Sequence, residues 1–421
     1  DYYASRGLGD VYKRQAYIVI AMLDYIPIIL ILGWTVLYYK VREVFAPWSI
    51  MLLVWIAVVS AYAYLDHGLY KTSDDFSPAI LLWCSSFSIV GYIVYRLTPA
   101  NTSPEWETNQ TIVKFFTILA LIITPVALYK AASFALSSGT DNLMYTMRDQ
   151  VIDKDSGFSL GPIMYFVHVV YTLLIVSADA EKHWNKWFFL LCLGINLLFF
   201  FIIMSKLVLF IGILSTLYLC YVHKRIKLRT IGITMIAFVI IALLFTQTRA
   251  TSSGDTDDTF TFAELLAMYL LSPIPAFGLE NPCSSPIWGY ETFRPVYNIL
   301  SGLGLYHGQL FDLGRVFVAV PIPTNVFTTM SPYYNDFGLQ GIAVLGAIEG
   351  GIISFIYKKG STGHTLARNL YAFLTAGIAL QYFDDQFYLA ISNILQMAVL
   401  IFIFHIKPVW KPDQKFLIKQ S

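Results

Sequence analysis

"KWFFLLCLGINLLFFFIIMSKLVLFIGILSTLYLCYVHKRIKLR", residues 186–229, sets two apolar runs back to back and ends them in the densest basic cluster of the chain. A membrane-crossing helix takes about 17 to 25 apolar residues. The stretch therefore reads as two spans, 187–203 and 206–222, turning at Ser205 and Lys206. His223 to Arg229 follows the second span, and Lys and Arg concentrated beside a span mark the cytoplasmic side. Together these readings give the class, an all-α polytopic membrane protein, and a fixed point from which topology can be counted.

Working outward, nine further runs meet the same length criterion. They are 17–39, 48–65, 78–97, 112–137 and 159–177 before the quoted stretch, then 230–246, 338–357, 369–383 and 388–406 after it. The total is eleven spans, and composition agrees: 57% of residues are hydrophobic, 16% aromatic and only 13% charged. The closely spaced pairs, 187–203 with 206–222 and 369–383 with 388–406, are where a fusion would change the parity. With eleven separate spans, Lys40, Arg42, Lys182, Lys186, Lys358, Lys359, Arg368 and the lysine-bearing tail all fall on the side of the basic cluster. About 17 Lys and Arg then lie inside and about 8 outside, the bias expected of a cytoplasmic carboxyl terminus. Cys84, Cys192 and Cys220 fall in apolar runs and Cys283 in a polar loop, so no disulfide framework or CxxC metal pattern is present.

Residues 1–15, "DYYASRGLGDVYKRQ", are excluded from that count. Ser5 to Gln15 resemble the translation of an adapter used in transposon-based library preparation, and such scars are set aside before fold reasoning. The remainder, 16–421, reads as a single membrane domain, with the native start unassigned and Met22 one candidate.

One connection is long: 247–337, placed on the outer face between the eighth and ninth spans. Within it Thr261 and Glu264 form a capping-box pattern ahead of "LLAMYLL", a helix that Pro273 and Pro275 are expected to end. A second short helix is expected to start at Pro295. No internal repeat is evident, which argues against transporters built from inverted halves.

Outward cations run against the positive-inside bias. Arg148, Lys206, Arg249, Arg294 and Arg315 are the candidates for binding a pyrophosphate, which guanidinium groups hold through a planar fork of charge-assisted bonds. Against this stands the plain alternative that each pairs with a nearby carboxylate or lipid phosphate. Among the outer carboxylates, Asp336 sits beside aromatic residues where a span begins, the best setting for a general base. Most of the others, a set that includes Glu280, Glu291, Asp384 and Asp385, read as solvated loop charges. Glu349, inside the ninth span, is either functional or paired with a neighbouring helix. His307 reads as a solvated loop histidine. Walker A, HExxH and Ser/His/Asp patterns are absent, and no metal site, cofactor or nucleic-acid partner is expected.

The stretch "PTNVFTTMSPYYNDFGLQG", residues 323–341, resembles the hallmark of the Wzy-type oligosaccharide repeat-unit polymerases: Asn325-Val326-Phe327-Thr328, then Tyr333-Tyr334, then Asp336-Phe337-Gly338 with Gly341. "YLLSPIPAF", residues 269–277, is similar to a second segment of that family, with Ser272 where glycine is frequent. An Arg-x10-Gly pattern found in some members is not matched by Arg148, Arg249, Arg294 or Arg315, so individual arginine roles do not carry over. The resemblance implies a GT-C-like helical bundle in the bacterial inner membrane. It also implies glycosyl transfer at the outer face, between glycans carried on undecaprenyl pyrophosphate. Asn325, Phe327, Tyr333 and Tyr334 are then candidate glycan contacts, and membrane lipids, a chain-length regulator and a flippase are candidate partners. An O-antigen ligase would use the same donor with another acceptor. A lipid-linked oligosaccharide flippase would place its polar groups in broken central helices instead.

Overall fold

The computed structural model describes residues 23–100, 105–137, 160–180, 184–203, 205–250, 264, 267–310 and 317–409. Each of the eleven expected spans carries a helix. Seven helices among the described residues are long and apolar enough to cross a membrane. Residues 186–203 and 206–222 are separate helices, because Ser205 adopts an extended backbone (φ −112°, ψ 116°) between them. The protein is a polytopic all-α membrane protein, and its chain sorts into two compact units, each assembled from several segments.

The first unit comprises 1–97, 260–354 and 377–392. Helix α1 (Leu23–Val41) is followed by α2 (Pro47–Tyr64) and α3 (Phe76–Leu97). Trp48 of α2 meets Tyr92 and Tyr95 of α3 edge-on, with centroids 5.9 and 5.4 Å apart. The first part of a long helix, Met330–Ser361, packs on α3 through Gly346, Gly350 and Ser354, spaced by four. A Cβ on Gly346 would come within 2.9 Å of the Trp83 ring, and one on Gly350 would fall onto the Phe87 carbonyl. Small residues at that spacing let two helix backbones approach where lipid gives no hydrophobic drive to association.

The second unit comprises 98–259, 355–376 and 393–421. It holds α4 (Gln110–Ser137), α5 (Phe166–Asp179), α6 (Lys186–Ile203), α7 (Lys206–Val222) and α8 (Leu228–Ala250). Every residue of α5 is buried, and α4, α6 and α7 pack around it. Strand β1 (Glu105–Thr108) pairs antiparallel with a strand at His405–Val409. At the end of α5, Asp179 takes a two-point contact from Arg368, Nε to Oδ1 at 2.6 Å and Nη2 to Oδ2 at 3.0 Å. His223 Nε2 lies 2.8 Å from the same Oδ1. Arg225 donates to the carbonyls of Ala178 and Ala180, satisfying backbone acceptors that a helix end leaves open. Two members of the cluster read as a topology signal are thus internal ligands.

The long connection departs from expectation at Pro273 and at Pro295. Ala267–Leu271 forms a π-helical turn, and Pro273 opens the five-residue helix α9 (Pro273–Phe277) instead of ending one. Proline lacks an N–H that the first helical position would leave unpaired anyway. Helix α10 runs Tyr290–Gly302, five residues earlier than Pro295 suggests. Phe293 leaves helical geometry inside it (φ −105°, ψ 23°), so Pro295 restarts a helix that is already under way. Thr261 lies outside the described residues. The last elements are β2 (Val318–Ala319), β3 (Pro323–Thr324), α11 (Met330–Ser361), α12 (Thr365–Ala379) and α13 (Ile391–Ile403).

Candidate functional site

The span expected to begin at 338 begins eight residues earlier, and the break inside it builds a polar cluster. Gly338 sits at φ 65°, ψ −157°, a conformation that is essentially glycine's alone. The helical ladder is interrupted there. The Tyr334 carbonyl instead accepts the Cys283 N–H at 3.1 Å, and the Asn335 carbonyl accepts the Ser285 N–H at 3.0 Å. Gly341 is needed one turn later, where a Cβ would lie 2.7 Å from the Tyr333 carbonyl oxygen. The two glycines of the Asp-Phe-Gly-x-x-Gly pattern therefore make a turn and a close approach.

Four consecutive side chains ahead of this break, 333–336, fan into different partners. Asp336, 8% exposed, accepts the Glu291 N–H on Oδ1 at 3.3 Å and the Thr292 N–H on Oδ2 at 2.7 Å. It therefore caps α10 from a distant part of the sequence, a favourable place for a carboxylate. Asn335 Nδ2 donates to Glu280 Oε2 at 2.6 Å and to Glu291 Oε2 at 2.9 Å, so one amide holds two carboxylates together. Tyr334 donates its hydroxyl to Asp75 at 2.5 Å. Tyr333 is fully buried, stacked on Trp83 with centroids 5.6 Å apart and edge-on to Tyr388 at 5.5 Å.

Behind the tyrosines lies a second polar layer. Trp83 donates to the Gln381 side-chain oxygen at 3.2 Å, and Gln381 Nε2 donates to Glu349 Oε1 at 2.8 Å. Glu349 Oε2 has no partner among the described residues. Asp385 is buried and accepts the N–H groups of Phe387, Tyr388 and Leu389 at 2.8 to 3.1 Å. Burial raises its carboxyl to about 6, against the lowering effect of those bonds.

Of the five candidate pyrophosphate ligands, Arg148 and Arg315 lie outside the described residues, as does the side chain of Arg249. Lys206 opens α7 in the second unit. Arg294 is half-buried on α10, one turn beyond the backbone groups that Asp336 caps. Among the glycan candidates, Asn325 is exposed and Phe327 is buried against Ala276 and Val320. Three acidic residues read as solvated are not. Glu280 and Glu291 converge on Asn335, and Asp385 is 2% exposed. The alternation of short apolar runs with Asp384-Asp385 carried the only sequence hint of the last. His307 is exposed, as expected.

Fold and cluster define a multi-pass membrane protein with a polar site built where one of its spans is broken. Its chain is 22% identical, over 397 residues, to an Escherichia coli (strain K12) protein named "Putative O-antigen polymerase", covering 90% of this chain and 96% of that one. No family model matches the chain, and no solved structure does. The similarity spans the same chain whose residues 323–341 carry the polymerase-like motif, and it supports a polymerase role.

Proposed function

We propose that the protein polymerises undecaprenyl-pyrophosphate-linked oligosaccharide repeat units into O-antigen, capsular or exopolysaccharide at the outer face of the bacterial inner membrane. The observation that carries this reading is the near full-length similarity to the K12 protein. A hydroxyl of the incoming unit attacks the anomeric carbon of the growing glycan. The bond from that carbon to the pyrophosphate oxygen breaks, and its electron pair leaves with the lipid pyrophosphate. Arg294 stabilises the departing charge, as a fixed cation does in a water-poor pocket; the sequence adds Arg148, Lys206, Arg249 and Arg315 as further candidates for that role. Asp336 has acceptor capacity beyond its two backbone bonds, and it orients the attacking hydroxyl and takes its proton. Asn325, Phe327, Tyr333 and Tyr334 are the candidate glycan contacts, Asn325 from the exposed surface and the three buried rings by shaping the site. Glu280 and Glu291 offer further acceptors for sugar hydroxyls.

The test is reconstitution in lipid vesicles with lipid-linked repeat units. A ladder of glycans of increasing length supports the proposal. Transfer of single units only, or transfer solely to lipid A core, sinks it.

A further inference from the structure

Helix α10 is inside out for a segment in water. Val296, Ile299 and Leu303, spaced by three and four, share one face and are 38%, 48% and 67% exposed. Glu291, Arg294, Asn298 and Ser301 recur at the same spacing on the opposite face, and it is on that side that Glu291 meets Asn335. The apolar display continues past both ends, with Trp288 74% exposed and Leu305 71% exposed. At 13 residues the helix is roughly 20 Å long, too short to cross a core of roughly 30 Å. A contiguous apolar face of this kind marks an interaction surface.

The attachment of α10 identifies what covers it. Its first turn is capped by Asp336 and tied through Glu291 to Asn335, two and three residues before Gly338. Gly338 breaks the first turns of Met330–Ser361, a candidate span whose 32 residues exceed the roughly 20 that a bilayer core needs. The helix is thereby held beside the break near the start of that long span. Trp288 stands at the start of α10, its carbonyl accepting the Tyr297 hydroxyl at 2.7 Å, and Trp and Tyr favour the level where headgroups meet acyl chains. We propose that α10 lies in the plane of the membrane interface, its Val296, Ile299 and Leu303 face against the lipid of the leaflet where Asp336 sits. The partner is the bilayer surface itself. Its polar face, with Arg294, is then turned toward the Asn335 and Asp336 cluster. This placement does not depend on the reaction the protein performs.

The experiment is site-directed spin labelling of the whole protein in lipid nanodiscs. Cys283, the exposed cysteine among the described residues, is first replaced by serine; Cys84, Cys192 and Cys220 are buried. Nitroxides are placed singly through Val296→Cys, Ile299→Cys, Leu303→Cys and, on the polar face, Asn298→Cys. The expected result is a several-fold preference for collision with oxygen over a water-soluble nickel complex at 296, 299 and 303, lost or reversed at 298. Nickel access at 299 and 303 equal to that at 298 would place the face in water and overturn the proposal. Labels that are immobile and reached by neither reagent would overturn it too, since protein would then cover the face. All four changes are at exposed positions, so the comparison does not rest on a variant that fails to fold.

Discussion

The two units each bury a polar cluster, and the clusters differ in how completely they are closed. In the second unit Asp179 faces Arg368 and His223, and Arg225 takes the carbonyls at the end of the same helix. The Asp179 charge is met by Arg368, and the carboxylate is satisfied at both oxygens. In the first unit one amide is shared by Glu280 and Glu291, and the side-chain oxygen of Asn335 and Oε2 of Glu349 have no partner among the described residues. A closed cluster holds a fold together. One that keeps hydrogen-bonding capacity in a buried setting, where an unpaired polar group is costly, is a candidate for meeting something else. The contrast separates a structural clamp from a candidate site.

The largest effect is expected at the clamp. Arg368→Ala leaves Asp179 buried without its two-point partner, and breaking such a pair costs roughly 3–5 kcal/mol. The yield of monodisperse protein in detergent should collapse, whereas Arg368→Lys should keep part of it, losing the fork but not the charge. A fully stable Arg368→Ala protein would erase the distinction between the clusters.

Next comes pH. The folded-state carboxyl of Asp385 is raised to about 6 by burial, so the folded protein holds this proton more tightly than the unfolded chain does. The resulting stability is fully present below the ordinary carboxylate range, near about 4, and is lost as pH rises through about 6. Over that interval the linkage is worth roughly 3 kcal/mol. Thermal unfolding measured at pH 4 to 7 should show this fall in the wild type and a flatter profile in Asp385→Asn; identical profiles would remove the prediction.

Gly338→Ala imposes a side chain on a backbone conformation that costs of order 1–3 kcal/mol. It should lower the melting temperature by several degrees and displace the carbonyls of Tyr334 and Asn335 from Cys283 and Ser285. Asn335→Asp is a finer probe, since it replaces the donor between Glu280 and Glu291 with a third carboxylate. A stability loss of about 1–3 kcal/mol is expected, together with at least a tenfold loss of turnover per folded molecule. At the small end, His307→Ala should stay within about 0.5 kcal/mol of wild type; a larger change would reveal a contact on this exposed side chain.

Much of the fold was legible because an apolar run long enough to cross a membrane has few alternatives to a helix. Each of the eleven runs carries a helix among the described residues, and Ser205 stands extended between one helix and the next, which Lys206 opens. The local pattern at Asp336, Gly338 and Gly341 was also visible, since a glycine-only conformation and a tight helix approach leave a mark in sequence. What those residues bind was not. The capping of α10 by Asp336 joins positions more than forty residues apart, and the convergence of Glu280 and Glu291 on Asn335 exists only after folding. Charge type alone did not show that His223 and Arg225 also bind within the fold, and it made Asp385 look solvated. Proline was misread at Pro273 because the same missing N–H that ends a helix also suits its first residue.

The most direct test compares glycan ladders from vesicles holding equal amounts of folded wild type, Asn335→Asp and Arg294→Ala with lipid-linked repeat units as the sole substrate. A ladder is expected from the wild type and its loss in both variants, with Arg368→Lys, matched for folded protein, still extending chains. Ladders of wild-type length and rate from both Asn335→Asp and Arg294→Ala would contradict the assignment of polymerisation to this cluster.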